Sequence, residues 1–471
     1  MATLKTPGVY IEEISVFPPS VAEVETAVPA FIGYTEKAQK NTSNDLILKP
    51  TKIHSLKEFE QYYGGPKSDD AIAMTVTDTA SGGFEASSVT EPTLSYILYY
   101  SMKLFFDNGG GQCYIVSAGT YQATPAIDLS GDTGTDPASM YGLQDGLNAV
   151  RNEDEPTLIV IPEAVKLGDT DYQTLVQAVL LQCNDLQDRF AIFDIHGGDS
   201  KLDTSGVATA RGYFGNNYLK YGAAYYPFIK TTLNYHVKTG ETNVDVTHNS
   251  DPVADLVSFK TSNTALYNFV KGKLKEHYIM LPPSAAVAGV YAATDKNRGV
   301  WKAPANVSLT DVIEPVVKID NAIQDGLNVD ATSGKSINAI RAFMGKGSLV
   351  WGARTLAGND NEWRYVPVRR FFNMVEESVK KSTYWAVFEP NDANTWVKVR
   401  GMIEAYLLQK WREGALAGAT PKEAFFVRCG LGTTMDSQDI LEGRMNVEIG
   451  MAAVRPAEFI ILKFSHKLQT S

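Results

Sequence analysis

Short apolar runs separated by stretches with helical spacing constrain the fold of this chain more than any other feature. The runs recur through the first half of the sequence, as AFIGY at 30–34, CYIVSA at 113–118, TLIVIP at 157–162, FAIFDI at 190–195 and AAYYPF at 223–228. Runs of this length and composition are typical of buried strands. Between them, LSYILYYSMKLFF and YQTLVQAVLLQCNDL carry apolar residues at three- and four-residue steps. This alternation predicts an α/β fold with a largely parallel sheet.

Two polar stretches interrupt the alternation. One follows Lys67 and the other follows Lys230, and both are rich in Thr, Ser, Gly or Asp. Such stretches usually lie on the surface. We therefore expect insertions near residues 68–92 and 231–252.

The sequence changes character after Ala305, where helix ends become recognisable. VPVRRFFNMVEESVKK places one apolar face on a helix, formed by Val368, Phe371, Val375 and Val379. A second helix has Asn391 and Asp392 as cap candidates and ends at Gly414, and its expected buried face comprises Trp396, Val399, Ile403, Tyr406 and Leu407. TPKE at 420–423 has the pattern of a capping box that begins a short helix. This part of the chain therefore predicts an α+β domain.

Both ends of the chain are predicted strands. TPGVYIEEI at 6–14 begins with a proline and a glycine, and Glu458–Phe464 follows Pro456. Backbone N–H and C=O groups of a strand need partners, and neither segment has an adjacent partner strand in the sequence. Two arrangements satisfy this need: each end pairs within its own domain, or it pairs with another molecule by strand addition.

Charge and composition exclude several classes of function. The net charge of −11, without any run of lysines and arginines, argues against a nucleic-acid partner. Three widely spaced cysteines indicate neither a disulfide framework nor a zinc site and fit a reducing compartment. No apolar run is long enough for a membrane span. Residues 351–471 are nearly neutral, with 16 Lys and Arg against 14 Asp and Glu, whereas the remainder has 27 against 40.

Motifs for catalysis or cofactor binding do not assemble in this sequence. The glycines at 109–111 stand between a helix and a strand, the reverse of the order that a phosphate-binding loop needs. SGKS at 333–336 lacks the upstream glycine of a P-loop, the histidines form no metal motif, and no GxSxG elbow occurs. Asp194, at the end of a predicted strand, would suit a catalytic carboxylate, but a polar residue there commonly begins a loop. We therefore expect no catalytic residues, no metal and no cofactor.

Several motifs, in order along almost the whole chain, are similar to those of contractile-tail sheath proteins. They are TPGVYIEEI, VPAFIGYT at 28–35, LFFDNGGGQCYIVSA at 104–118, LPPSAAVAGVYAATDKNRGVWKAPAN at 281–306, GSLVWGARTL at 347–356, EWRYVPVRR at 362–370 and VRPAEFIIL at 454–462. The resemblance implies a structural subunit of a contractile injection machine, such as a phage tail, a bacteriocin particle or an extracellular injection system. It implies hexameric rings stacked around an inner tube, which contract from a metastable extended state.

The resemblance also implies a domain plan and a set of partners. Residues 1–28 would form an N-terminal arm and part of a core domain, 29–304 an outer α/β domain with the two insertions, and 305–471 a C-terminal core domain with a terminal strand arm. The implied partners are other copies of the chain, an inner tube protein, baseplate and terminator proteins and sheath paralogues, without membrane insertion. Assembly would occur in the cytoplasm of the producing cell, as part of a virion tail or a released particle.

Three groups of residues are candidates for contacts in such an assembly. The predicted intersubunit strands are Val9, Tyr10, Ile11, Glu12, Glu13 and Ile14 at one end, and Glu458, Phe459, Ile460, Ile461, Leu462, Lys463 and Phe464 at the other. The polar side of the helix at 394–413 carries a candidate tube-facing set, which is otherwise a solvated face: Lys398, Arg400, Lys410 and Arg412. Four arginines fit ion pairs between subunits or ion pairs inside one domain: Arg354, Arg364, Arg369 and Arg370.

Two other functions are weighed against this hypothesis. An α/β enzyme with a Rossmann-like domain needs a glycine signature at a strand-to-helix turn, and no such turn carries one. A tube or baseplate component of the same machine would lack this order of motifs. The sheath hypothesis therefore predicts a structural protein and not an enzyme.

Overall fold

The computed structural model describes residues 20–67, 72–90, 94–122, 124, 126–131, 136, 140–238 and 240–461. These residues divide into two compact units. The larger unit contains residues 25–373 and 455–461, and the smaller unit contains residues 20–24 and 374–454.

The strands are numbered along the chain. They are β1 (Pro29–Thr35), β2 (Thr51–Ile53), β3 (Ile72–Asp78), β4 (Phe84–Thr90), β5 (Cys113–Thr120), β6 (Leu158–Val160), β7 (Phe190–Asp194), β8 (Gly222–Tyr226), β9 (Ile229–Asn234), β10 (Val244–His248), β11 (Ala254–Asp255), β12 (Tyr278–Leu281), β13 (Val307–Ser308), β14 (Val312–Pro315), β15 (Ile337–Phe343), β16 (Gly347–Val350), β17 (Phe425–Arg428) and β18 (Glu448–Met451).

The helices are numbered in the same way. They are α1 (Leu56–Tyr63), α2 (Leu98–Asp107), α3 (Leu143–Val150), α4 (Asp169–Leu186), α5 (Thr204–Tyr213), α6 (Phe259–Ser262), α7 (Thr264–Leu274), α8 (Ser284–Arg298), α9 (Asn321–Asn328), α10 (Val366–Ser382), α11 (Ala393–Arg412), α12 (Pro421–Ala424) and α13 (Ser437–Leu441).

A nine-stranded sheet forms the centre of the larger unit, in the order β13-β16-β15-β8-β7-β6-β1-β5-β2. The strands from β15 to β5 are parallel, and antiparallel strands lie at both edges. Both faces are covered, because alternate residues of β1 enter different cores: Ile32 lies in one and Phe31 in the other. Burial on both faces explains why these strands read as continuous apolar runs. The predicted α/β class is confirmed.

The strands β15 and β16 extend this sheet beyond the boundary that the sequence placed after residue 304. β15 pairs with β8 in parallel, so residues 305–373 fall in the larger unit. The division into two units therefore lies within α10, not at Ala305, because pairing between distant strands is not visible in local composition.

Small residues let α8 pack closely against α2. A Cβ atom on Gly289 of α8 would lie 2.5 Å from the backbone oxygen of Phe105 in α2.

The glycines that follow α2 end the helix, since Gly109 has a φ of +95° and its N–H donates to the oxygen of Phe106. The order of helix, glycines and strand agrees with the predicted helix-ending use of these glycines.

The two polar insertions form one small structure together. β3 and β4 come from the first insertion, β10 comes from the second and β11 follows it, and the four strands pair in the order β11-β10-β3-β4. β3 and β10 are parallel neighbours. One face of this sheet packs on α7 around a core of its own, which includes Val76, Val246 and Leu266. We call the segments 72–90 and 244–274 the insertion module.

The predicted helices of the smaller unit are present with the expected caps. The Asp392 carboxylate accepts a hydrogen bond from the N–H of Thr395 at the start of α11, and Gly414 follows the helix end with a φ of +86°. In the capping box of α12, the N–H of Thr420 donates to the Glu423 carboxylate. The predicted apolar face of α10 is buried along its length, from Val368 to Val379.

Candidate assembly surfaces

The first described residues are held within the smaller unit by hydrogen bonds from their backbone N–H groups to serine hydroxyls. The N–H groups of Ala22 and Val24 donate to the hydroxyls of Ser382 and Ser378, at 3.0 and 3.1 Å. Between them, the Glu23 carboxylate pairs with the ammonium of Lys410. The predicted strand Val9–Ile14 lies outside the described residues, so its pairing stays a prediction.

The other chain end carries an exposed apolar segment. Phe459, Ile460 and Ile461 are 73%, 79% and 79% exposed. They belong to no strand in the single chain. Leu462, Lys463 and Phe464 lie outside the described residues. A strand contributed to another copy would lack a partner in a single chain, so the predicted intersubunit role stays a prediction.

The smaller unit contains a sheet of two strands. β17 and β18 pair antiparallel over four residue pairs, from Phe425 with Met451 to Arg428 with Glu448. Among the described residues no third strand joins this sheet. Its outer backbone groups therefore offer positions for an added strand.

The candidate tube-facing residues of α11 do not form one surface. Lys398 and Arg412 are exposed, and Arg400 is partly exposed beside Glu404. Lys410 is buried, with a side chain 4% exposed, and pairs with both Glu23 and Glu413. Burial by itself would lower the pKa of the Lys410 ammonium, but hydrogen bonds to these carboxylates outweigh it, so its pKa is raised. The prediction that Lys410 lies on the polar side was wrong, because two acidic neighbours draw it inward.

The four candidate arginines have partners within the same chain. Arg354 binds the carboxylate of Glu458, and Arg370 binds that of Asp295. Arg364 donates to the backbone oxygen of Gly358 and to Asn361. Arg369 is buried, donates to Asn373 and stacks on Trp363 with its guanidinium carbon 4.2 Å from the ring centre. These contacts lie within one chain, and ion pairs of these arginines between subunits stay a prediction.

A buried carboxylate that the sequence did not indicate lies beside the point where the strand order of the central sheet reverses, next to β1 and β6. Open α/β sheets usually bind ligands at this position. Glu163, which follows β6, is fully buried there and accepts hydrogen bonds from the N–H groups of Tyr34, Ile97 and Leu98 at 2.7, 2.9 and 3.2 Å. Two of these donors lie at the start of α2, so the Glu163 carboxylate satisfies free N–H groups at the N-terminus of that helix. Burial raises the pKa of Glu163 to about 7 against the opposing effect of its hydrogen bonds.

Asp194, which the sequence offered as a candidate carboxylate or a loop start, is a buried partner of α8. Its carboxylate accepts hydrogen bonds from the N–H and the hydroxyl of Ser284, the first residue of that helix. The proline before Glu163 and the acidic residue within the FAIFDI run were the only sequence signals for these two caps. Neither signal identifies the distant helix that each carboxylate binds.

None of the helices in the described part of the chain is long and apolar enough to cross a membrane.

Comparisons with known proteins all lead to one family. A family model for the phage tail sheath C-terminal domain matches residues 358–467. The contracted helical sheath of the anti-feeding prophage is 31% identical over 99% of this chain and 100% of its own, with a TM-score of 0.63. The contracted PVC sheath complex, from an extracellular contractile injection system, is 29% identical over 99% of both chains, with a TM-score of 0.64.

A phage relative is similar over a shorter region. The tail sheath protein of Vibrio phage KVP40 is 25% identical over 178 residues, which are 36% of this chain and 26% of the phage protein. The matched region therefore spans about a quarter of that relative's length.

Proposed function

This chain belongs to the sheath proteins of contractile injection systems, and from that premise we propose that it forms hexameric rings stacked helically around an inner tube. The sheath would assemble in an extended, metastable state and contract to drive the tube through a target envelope. The solved relatives, a sheath complex and a helical sheath in contracted states, support an assembly built of many copies. Similarity over nearly the full length of both chains supports applying the same architecture here.

The observation that carries this proposal is that one chain contains both an exposed segment suited to being donated as a strand and a small sheet suited to accepting one. Phe459, Ile460 and Ile461 form an exposed apolar segment without a partner strand among the described residues. Among the residues from 20 to 461 that the structure describes, no third strand joins the sheet of β17 and β18, so its outer backbone groups offer positions for an added strand. A segment from one copy would satisfy such positions on another, and repetition around a ring would join all the copies.

The energy for contraction would be stored in the packing between copies. Each newly buried Phe or Ile side chain contributes about 1.5–3 kcal/mol, and each net hydrogen bond about 0.5–1.5 kcal/mol. A lattice with two packings that differ by a few such contacts per copy is bistable, and many copies amplify the difference. Contraction then requires no nucleotide.

The remaining partners follow from the same architecture. Lys398, Arg400 and Arg412 stay the proposed tube-facing residues, on a helix within the matched C-terminal domain. Baseplate and terminator proteins would bind at the two ends of the cylinder. The complete particle would be a phage tail or a released extracellular machine.

The proposal is tested by removing each proposed strand from the full chain. Variants lacking residues 1–14, or carrying Phe459→Asp with Ile461→Asp, are purified and examined by negative-stain electron microscopy and circular dichroism. We expect a folded monomer that forms no cylinders, while the natural chain forms them.

A matched control replaces an exposed apolar residue elsewhere. Met344→Asp changes a fully exposed side chain in the larger unit and should leave cylinders intact. Cylinders of normal length from the strand variants, or unfolding of the truncated monomer, would contradict the proposed exchange of strands.

A further inference from the structure

The N-terminal segment enters the larger unit at a buried cluster around Asp295. The Asp295 carboxylate accepts a hydrogen bond from the Thr26 hydroxyl at 2.6 Å and binds the guanidinium of Arg370. Arg370 also donates to the backbone oxygen of Thr26 at 2.9 Å. The side chains of Arg370 and Asp295 are 3% and 5% exposed. Thr26 is therefore held through both its side chain and its backbone.

The C-terminal segment is held in a similar way by Arg354. The Arg354 Nε donates to both carboxylate oxygens of Glu458, at 2.8 and 3.1 Å, and an Nη atom donates to one of them as well. The Tyr365 hydroxyl contributes a further hydrogen bond at 3.3 Å. Arg354 is 5% exposed and Glu458 is 19% exposed. The exposed apolar residues begin at the next position, Phe459.

We propose that Arg354 is an arm anchor, which fixes the point where the C-terminal arm leaves the larger unit, and that Arg370 fixes the point where the N-terminal segment enters the same unit at Thr26. The C-terminal arm comprises the residues after Glu458, and the inference rests on the proposed function. A strand exchanged between copies transmits load to its own subunit only if its origin is fixed. A planar guanidinium held by several hydrogen bonds defines a direction as well as a position, which a lysine does not.

This assignment changes the role of one predicted strand residue. Glu458 was placed in the intersubunit strand, but its carboxylate is committed to Arg354 in the same chain. In this proposal the part of the strand whose side chains are free to contact another copy begins at Phe459. The arm length available to reach a neighbour is set by the anchor and not by the last element of regular structure.

The anchor is tested in the monomer, independently of sheath assembly. Cys113, Cys183 and Cys429 are buried, so a single nitroxide label is directed to Ala457→Cys, beside the anchor. The label's mobility is compared in Arg354→Glu, Glu458→Arg and the combined charge swap. We expect mobility to increase several-fold in each single variant and to return toward the original value in the combined variant. Glu458→Gln, a mild change at a partly exposed side chain, should increase mobility less.

The same variants are then examined for cylinders by electron microscopy. We expect the single variants to form few or short cylinders and the charge swap to recover them. Lys346→Glu is the control, because it reverses a charge at an exposed side chain of the larger unit that belongs to none of the candidate contact sets. Unchanged mobility in Glu458→Gln and Arg354→Glu, or a charge swap as mobile as the single variants, would overturn the anchor. Failure of the unaltered chain to form cylinders would instead count against the proposed function, while the mobility result still decides whether the segment is anchored.

Discussion

Asp194 ends strand β7, and its carboxylate accepts a hydrogen bond of 2.7 Å from the backbone N–H of Ser284, at the start of helix α8. A carboxylate at this position satisfies a free N–H at the helix N-terminus, where negative charge is favoured. Both partners are buried. The polar contact that joins the sheet to α8 is therefore shielded from solvent.

Asp194 makes stability depend on pH. Burial raises the pKa of its carboxyl to about 7, although the hydrogen bonds from Ser284 oppose this shift. The folded state therefore binds the proton more tightly than the unfolded chain, whose aspartates have a pKa near 3.9. The stabilisation that the protonated Asp194 gives to the folded state is complete below about pH 4, and it is lost as the pH rises through 7. We expect Asp194→Asn to flatten this loss and to be more stable than the natural chain at pH 8 by about 1–3 kcal/mol.

Urea unfolding of the two proteins at pH 5 and pH 8 measures this difference. Asp199→Asn changes an exposed aspartate five residues later and serves as the control. Equal pH dependence in the natural chain and in Asp194→Asn would show that this carboxyl does not titrate as described.

Gly289 is expected to tolerate no side chain. An added Cβ would lie 2.5 Å from the oxygen of Phe105, a backbone atom that cannot move without shifting α2. Gly289→Ala should therefore reduce the free energy of unfolding by about 1–3 kcal/mol. Gly272→Ala, at a helical position with no atoms within 4 Å, should raise it by about 0.4–1 kcal/mol. Thermal unfolding of both variants checks the prediction, and equal effects would contradict the close packing of α2 and α8.

Local sequence patterns were sufficient to predict the main elements of the fold. The strands of the central sheet are buried on both faces, so each one is a continuous apolar run. The caps of α11 and α12 depend on residues within a few positions of one another, such as Asp392 and Thr395. Such short-range relationships are visible in a single sequence.

Contacts between distant segments were not predictable in the same way. Glu163 binds residues of the β1 end and the α2 start, more than 60 positions away. The polar insertions conceal a shared core because their buried residues alternate with threonines and aspartates, as in β3 and β10. Lys410 has the spacing of an exposed lysine, and its burial depends on Glu23, which is distant in the sequence.

The insertion module is expected to unfold separately from the central sheet. Val246 is buried in the module's own core, together with Val76 and Leu266. Val246→Ala removes two methyl groups there and should cost the module about 1–3 kcal/mol. Hydrogen exchange should accelerate in β3 and β10 and stay unchanged in β1 and β7. Faster exchange in all four strands would show that the module and the sheet unfold as one unit.

Lys410 and Lys398 on helix α11 are expected to differ sharply in their contribution to stability. The Lys410 ammonium is buried between the carboxylates of Glu23 and Glu413, whereas Lys398 is exposed. Lys410→Met leaves two neighbouring carboxylates without their cation and should lower the free energy of unfolding by about 2–3 kcal/mol. Lys398→Met should change it by less than about 0.5 kcal/mol.

Adding Glu23→Gln and Glu413→Gln to Lys410→Met should recover part of the lost stability, because the repulsion between the two carboxylates is removed with their charges. Chemical denaturation of the four proteins distinguishes a stabilising ion cluster from a solvated face, and equal stability of the two lysine variants would contradict the cluster.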